Sequence, residues 1–268
     1  MDLQQIGPQH PVVKQVQHIQ HNTAPNRHRL FVAEGLWAHN MLLEANAPID
    51  VFLWCPEAIY ADEARVRAEE VAQRAARAYR ISARTLEKIS ERDKPDGLLS
   101  LAALPHWSVE DLRFGRQALV LVADGVEIPG NLGTLIRSLD ACAADCLVLT
   151  NRKTRLTHPK VIRASQGTIL TVPTIEFAEA SDAADWLDDL GFTVYLADTD
   201  EAANYRKVDY SGRTALVVGS ERYGIAKPWY ERGYGRVAVP MLGSGDSLNV
   251  SVSASILLYE ARAHQAAW

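Results

Sequence analysis

Three polar stretches of this chain could do chemistry together. Asn131-Leu132-Gly133-Thr134-Leu135-Ile136-Arg137 puts an amide and a guanidinium six residues apart. Gly219-Ser220-Glu221-Arg222-Tyr223-Gly224 puts a carboxylate between two glycines, and Val239-Pro240-Met241 leads on to Ser247-Leu248-Asn249-Val250-Ser251-Val252-Ser253. A guanidinium stays protonated at any working pH, so Arg137 is suited to gripping a phosphate and stabilising an oxyanion, not to removing a proton. Glu221 or Asn131 beside it would orient that guanidinium or a substrate hydroxyl. The glycines allow a tight turn or the close approach of a ligand. Ser247 and Asn249 would open a long apolar helix with Ser247 as a natural N-cap, adding unpaired amides and a positive dipole end to the same place.

Each stretch needs an element to hold it, and each follows an apolar run. Strand candidates are Ala118 to Ala123, Cys146 to Thr150, Thr171 to Thr174, Phe192 to Ala197, Ala215 to Gly219 and Arg236 to Val239. Helical stretches lie between them near Asn131 to Ala143, His158 to Ser165, Ala178 to Leu190 and Trp229 to Glu231, with the last at Leu248 to Gln265. Continuous apolar strands separated by helices predict a parallel sheet covered on both faces. In such sheets ligands sit beyond the carboxyl ends of the strands, which is where all the polar corners fall.

The 268 residues are comfortable for two domains, and 47% hydrophobic with 23% charged residues is ordinary for a globular protein. The first half reads as a small α/β unit ending near Leu104, with a helix around Pro11 to His21, strands at Val51 to Trp54, Tyr79 to Ile81 and Gly97 to Leu104, and a clear helix from Ala61 to Tyr79. No apolar run reaches the roughly 20 residues of a membrane span, and the polar N-terminus does not look like a secretory signal, so a cytoplasmic protein is expected. Cys55, Cys142 and Cys146 read as reduced core thiols, and no metal-ligand spacing stands out. The net charge of -5 argues mildly against nucleic acid. Its distribution argues the other way: from Cys146 to Ile175 there is no acidic residue, while Arg152, Lys153, Arg155, Lys160 and Arg163 all fall there. A dinucleotide-dependent oxidoreductase is disfavoured, because no Gly-x-Gly-x-x-Gly follows the first strand of the second half.

Taken together and in order, the three motifs resemble the SpoU (TrmH-type) branch of the SPOUT RNA methyltransferases. The resemblance implies a parallel-sheet α/β domain over residues 106–268 with a C-terminal trefoil knot, and S-adenosylmethionine as methyl donor to a ribose 2'-hydroxyl of RNA. It implies catalytic roles for Arg137, Asn131, Glu221, Ser247 and Asn249, and cofactor contacts at Leu196, Gly219, Val239 and Leu248. Residues 1–105 resemble the L30e-like substrate domain that precedes the catalytic domain in several such enzymes. There Arg27 and Arg29, just ahead of Phe31-Val32-Ala33-Glu34-Gly35, are candidate RNA contacts beside the basic stretch. The family also implies a homodimer built through the catalytic domain, and 23S ribosomal RNA is the expected substrate. Transfer RNA, a ribosomal site conferring drug resistance, or a non-catalytic RNA-binding role are the alternatives.

Overall fold

The computed structural model describes residues 1–266, which fall into two compact units. The first comprises Met1–Pro105 together with Thr157–Ile162, and the second comprises His106–Leu156 and the chain from Arg163 onward. The first unit ends at Pro105, and part of the basic stretch, Thr157–Ile162, is counted with it.

In the first unit, strands β1 (Leu30–Glu34), β2 (Ile49–Trp54), β3 (Arg77–Arg80) and β4 (Leu98–Ala103) form a sheet in the order β1-β4-β2-β3. Only the β2/β3 pair is parallel. Helices α1 (Pro11–His21), α2 (Leu36–Glu44), α3 (Asp62–Arg74) and α4 (Ala83–Glu87) complete it. Helix α1 starts where Pro11 supplies a fixed φ and the His10 ring accepts the Val12 amide; it ends at Asn22, which takes the left-handed conformation. Its apolar residues Val12, Val16 and Ile19 recur at helical spacing and are buried against β1, β2 and β4 neighbours such as Leu30, Leu53 and Leu101. His39 is fully buried on α2. It is satisfied by the Gly35 carbonyl at 2.8 Å and the Ser100 hydroxyl at 2.9 Å, and burial pushes its pKa down to about 4.

The second unit holds seven strands: β5 (Ala118–Asp124), β6 (Cys146–Thr150), β7 (Thr174–Glu176), β8 (Thr193–Ala197), β9 (Ala203–Asn204), β10 (Arg213–Val218) and β11 (Gly235–Ala238). All pair in parallel, in the order β7-β6-β5-β10-β8-β11-β9. Every residue of β5 and β6 is buried, as a sheet covered on both faces requires. Helices α5 (Pro129–Ala141), α7 (Ala180–Asp189), α8 (Lys227–Tyr230) and α9 (Val250–Ala266) connect or follow these strands, and α6 (Pro159–Ser165) has its first residues counted with the first unit. The expected strand at Thr171 starts instead at Thr174, because Gly167 (φ 86°) opens a 3-10 turn over Thr168–Leu170. The short β9 was not expected.

Helix α9 packs along α5, where the Ser138 and Ser255 hydroxyls meet at 2.7 Å. Near its end the Gln265 side-chain amide donates to the carbonyls of Ala118 (2.9 Å) and Gly212 (3.0 Å), tying it to the starts of β5 and β10. All three cysteines are buried and unbridged. No helix among the described residues is long and apolar enough to cross a membrane.

Candidate active site

The corner after β10 is a closed loop. Ser220 and Gly224 exchange both backbone hydrogen bonds (3.0 and 2.9 Å), and the Ser220 hydroxyl accepts the amides of Arg222 and Tyr223 at 3.2 Å. The two motif glycines serve different needs. A Cβ on Gly219 would lie 2.2 Å from the Gly224 carbonyl carbon and 2.4 Å from the Ile225 nitrogen, so the missing side chain makes room for the loop's own return. Gly224 has open space around it but a φ of 69°, which L side chains rarely adopt. Sequence alone left a tight turn or a ligand's close approach open at Gly219; the structure puts the loop's own returning backbone beside it.

At the carboxyl ends of β8, β10 and β11 lies a cavity of about 400 Å³, within the range of small-molecule sites. Ala197, Gly219, Ser220, Glu221, Val239, Met241, Ser247, Leu248, Asn249 and Leu257 are among its walls. Gly219, Val239 and Leu248 therefore line one hollow, as the motif resemblance implies. Leu196 does not. It is fully buried in the core between β8's neighbours, and because side chains alternate along a strand the next residue, Ala197, faces the cavity instead.

Three of the expected polar residues form a chain at this edge. The Asn249 side-chain amide donates to Asn131 Oδ1 at 3.2 Å, and Asn131 Nδ2 donates to Glu221 Oε1. Each amide is thereby oriented: Asn249 Oδ1 is left to accept the Ser251 amide (3.0 Å) and hydroxyl (2.6 Å). Asn249, not Ser247, is thus the residue that caps α9, which begins at Val250. Ser247 remains a cavity wall. The chain links residues 118 positions apart and joins three motifs that have no contact in sequence.

Arg137 stands apart from this group. It lies six residues beyond Asn131 on α5, about 9 Å further along the axis, and it is exposed. It does not line the cavity and makes no hydrogen bond or ion pair among the described residues.

Two acidic residues were missed by sequence reasoning. Asp124, buried at the end of β5, accepts Thr150 Oγ1 (2.8 Å) and Asn151 Nδ2 (2.6 Å) on one oxygen and the Ala226 amide (2.7 Å) on the other. It thereby fastens the motif loop to β5 and β6. Asp198, just past β8, lines the cavity and accepts Tyr230 Oη at 2.6 Å. Burial would raise the Asp198 carboxyl, but the Tyr230 hydroxyl, the Asp200 and Thr199 amides and the Arg236 charge together hold it below its ordinary value. Burial and the same hydrogen bond push Tyr230 up to about 12. Both acids end apolar runs, a position that marks the ligand edge of a parallel sheet and could have flagged them.

The expected RNA contacts differ in environment. Arg152 is paired with Glu176 at 2.8 Å across 24 residues of sequence, and Arg155 is half-buried, with burial lowering its pKa. Lys153, Lys160 and Arg163 are exposed. Arg27 is exposed and Arg29 half-buried.

A parallel sheet whose carboxyl edge is closed by these three motif loops defines the SPOUT methyltransferase class. Within it, the chain belongs to the SpoU rRNA Methylase family, which residues 118–259 match. Residues 10–100 match the MRM3-like substrate binding domain. The chain is 31% identical over 209 residues to the 23S rRNA (guanosine(2553)-2'-O)-methyltransferase RlmP of Bacillus subtilis, covering 77% of this chain and 80% of that one. Among solved structures, an RNA 2'-O ribose methyltransferase is 32% identical, with a TM-score of 0.80 over 98% of this chain and 99% of that one. An AdoMet-bound rRNA methyltransferase from Sinorhizobium meliloti is 25% identical, with a TM-score of 0.85 over 95% of each chain. Against staphylococcal relatives named for the TrmH family, the chain spans little more than half of their length, 57 to 58%.

Proposed function

We propose that the protein is an S-adenosylmethionine-dependent ribose 2'-O-methyltransferase acting on 23S ribosomal RNA. The observation that carries this is the polar chain Asn249–Asn131–Glu221 at the edge of a cavity walled by Gly219, Val239 and Leu248. The residues suit the cofactor. Apolar walls from Val239, Leu248 and Leu257 fit a nucleoside, and the Asp198 carboxylate and the Ser220 and Ser247 hydroxyls fit its polar groups. Bound there, S-adenosylmethionine supplies an activated methyl group, so the protein's task is to hold the acceptor hydroxyl in line and to steady the charge that develops on it.

Arg137 is assigned to that charge and to the adjacent phosphate, with Glu221 and Asn131 orienting the ribose. Since Arg137 is exposed and does not wall the cavity of its own chain, it is assigned to the cavity of a second copy, in a homodimer formed through the catalytic unit. The proton then leaves to a phosphate oxygen or water. Residues 1–105, with Arg27 and Arg29, and the exposed Lys153, Lys160 and Arg163 hold the RNA; Arg152 is left out because Glu176 already neutralises it. A C-terminal trefoil knot, with β10 between β5 and β8, and a cytoplasmic location belong to the same reading.

The test is transfer of labelled methyl groups from S-adenosylmethionine to ribosomal RNA lacking the modification, with the product nucleotide mapped. Arg137→Lys should lose most of the rate while binding the cofactor as before. Absence of methyl transfer despite cofactor binding, or near-normal turnover by Arg137→Lys, refutes the assignment.

A further inference from the structure

We infer that Tyr223 receives the base of the acceptor nucleotide, which stacks on its ring at the rim of the cavity with Arg222 behind it. This rests on the proposal that the acceptor is a ribose hydroxyl of RNA, and it gives a specificity-determining contact to two residues that the proposal leaves unused.

Tyr223 is 71% exposed, and among the described Phe, Tyr and Trp residues of the second unit only Tyr259 is also exposed. A single exposed aromatic is ordinary; its position here is not. Tyr223 lies two residues beyond Glu221, and two residues of chain span at most about 7 Å. Glu221 and Gly224, on either side of Arg222 and Tyr223, both wall the cavity, while these two do not. The loop therefore carries Arg222 and Tyr223 at its exposed tip, beside the wall it contributes. Ile128, 50% exposed, belongs to the same edge: its carbonyl accepts the Asn131 amide at 3.0 Å, and the Asn131 side chain bonds to Glu221.

The ring also stands on a prepared base. The mutual Ser220–Gly224 hydrogen bonds close the loop, and the Ser220 hydroxyl accepts the amides of both Arg222 and Tyr223, so the backbone beneath the ring is pinned. The Arg222 guanidinium carbon lies over the ring, 5.1 Å from its centroid, and is the only partner of that ring among the described residues. One face is thus backed by a cation and the other is open. A ring held in this way loses little freedom on binding. A nucleotide gripped by its ribose at Asn131 and Glu221 brings its base within reach of that open face. Unpaired RNA bases are read by stacking on aromatic rings or guanidinium planes, and here one lies upon the other. Every base has a π-face, so the contact selects an unstacked acceptor nucleotide and not a particular base.

The experiment measures methyl transfer from S-adenosylmethionine to a synthetic RNA fragment containing the mapped nucleotide, by the full chain and its Tyr223→Ala, Tyr223→Phe and Arg222→Gln variants. Tyr223→Ala should lower kcat/KM for the RNA by about 5- to 150-fold, the range of one lost base stack, with cofactor affinity and the salt slope of RNA binding unchanged. Tyr223→Phe keeps the ring and should stay within about threefold of wild type. Arg222→Gln should lose less than Tyr223→Ala, and nothing further in the Tyr223→Ala background, because it acts through the ring. On a fragment whose acceptor nucleotide is abasic, wild type and Tyr223→Ala should differ by less than about threefold. Full rate in Tyr223→Ala, an equal loss in Tyr223→Phe, or a deficit that persists on the abasic fragment overturns the inference. Additive losses in the double variant overturn the place of Arg222 behind the ring. A Tyr223→Ala protein that sediments more slowly makes the ring a contact between copies, and one that no longer binds cofactor makes it structural; either result also overturns the stacking role. Failure of the proposed activity looks different: wild type then transfers no methyl group to any RNA, which sinks both.

Discussion

The two glycines of the loop after β10 should fail in opposite ways when replaced. At Gly219 the obstacle is space. A Cβ would sit 2.2 Å from the Gly224 carbonyl carbon where ordinary contacts begin at 3.4 Å, so the returning backbone must retreat roughly 1 Å. Backbone cannot swing aside as a side chain can, and overpacking of this kind costs about 1–3 kcal/mol. For a domain of this size, a cost near 2 kcal/mol lowers Tm by about 4–8 °C. The displaced Ser220–Gly224 segment also walls the cavity, so cofactor affinity should fall by about tenfold or more. At Gly224 the obstacle is conformation. Nothing lies within 4 Å of a new Cβ, but φ is 69°, so Ala costs about 1–2 kcal/mol and Asn, which tolerates this region, less. Differential scanning calorimetry and calorimetric titration with S-adenosylmethionine on Gly219→Ala, Gly219→Asn, Gly224→Ala and Gly224→Asn read both effects. Asn should be the milder change at Gly224 and the harsher one at Gly219. A Gly219→Ala protein with wild-type Tm and affinity, or the same order of Ala and Asn at both sites, would show the reasoning wrong.

Asp124→Asn sets an amide donor against the Ala226 amide and should cost about 1–3 kcal/mol in urea denaturation, with weaker cofactor binding; an unchanged midpoint would contradict its fastening role. Asn249→Ala removes both the α9 cap and the donor to Asn131, and should lose about 0.5–2 kcal/mol together with most methyl transfer, whereas Ser247→Ala should leave α9 stability unchanged. His39, with its folded pKa lowered to about 4, is protonated more readily in the unfolded chain, so stability is full above about pH 6.5 and is lost as pH falls toward 4. Between pH 7 and pH 5 this amounts to about 2 kcal/mol, and His39→Gln should flatten the wild-type pH profile of denaturation by that amount.

What could be read from sequence was what depends on local chemistry. The strands of the second unit announced themselves as apolar runs, and the motif corners kept their glycines and polar residues because each meets a need within a few positions. Leu196 is buried in the sheet core while its neighbour Ala197 walls the cavity, because the alternation of a strand does not say from sequence which face meets the hollow. Arg152 looked available because its neutralising partner, Glu176, comes from another strand. Asp124 and Asp198 escaped notice because a lone acid after a strand looks like a turn residue until its donors are seen converging. Arg137 was expected to converge on the cavity of its own chain or of a partner, and it does not wall its own, lying six residues beyond Asn131 on α5.

The polar chain across Asn131, Glu221 and Asn249 has a consequence for biosynthesis. Its members, and the cavity walls as far as Leu257, are drawn from both ends of the second unit, so a chain still short of Leu257 lacks part of the cavity. The sheet strands can emerge and pair before that, yet the cavity closes only when helix α9 arrives and Gln265 bonds to the openings of β5 and β10. A ribosome that stalls short of that helix releases a polypeptide in which the cavity is incomplete.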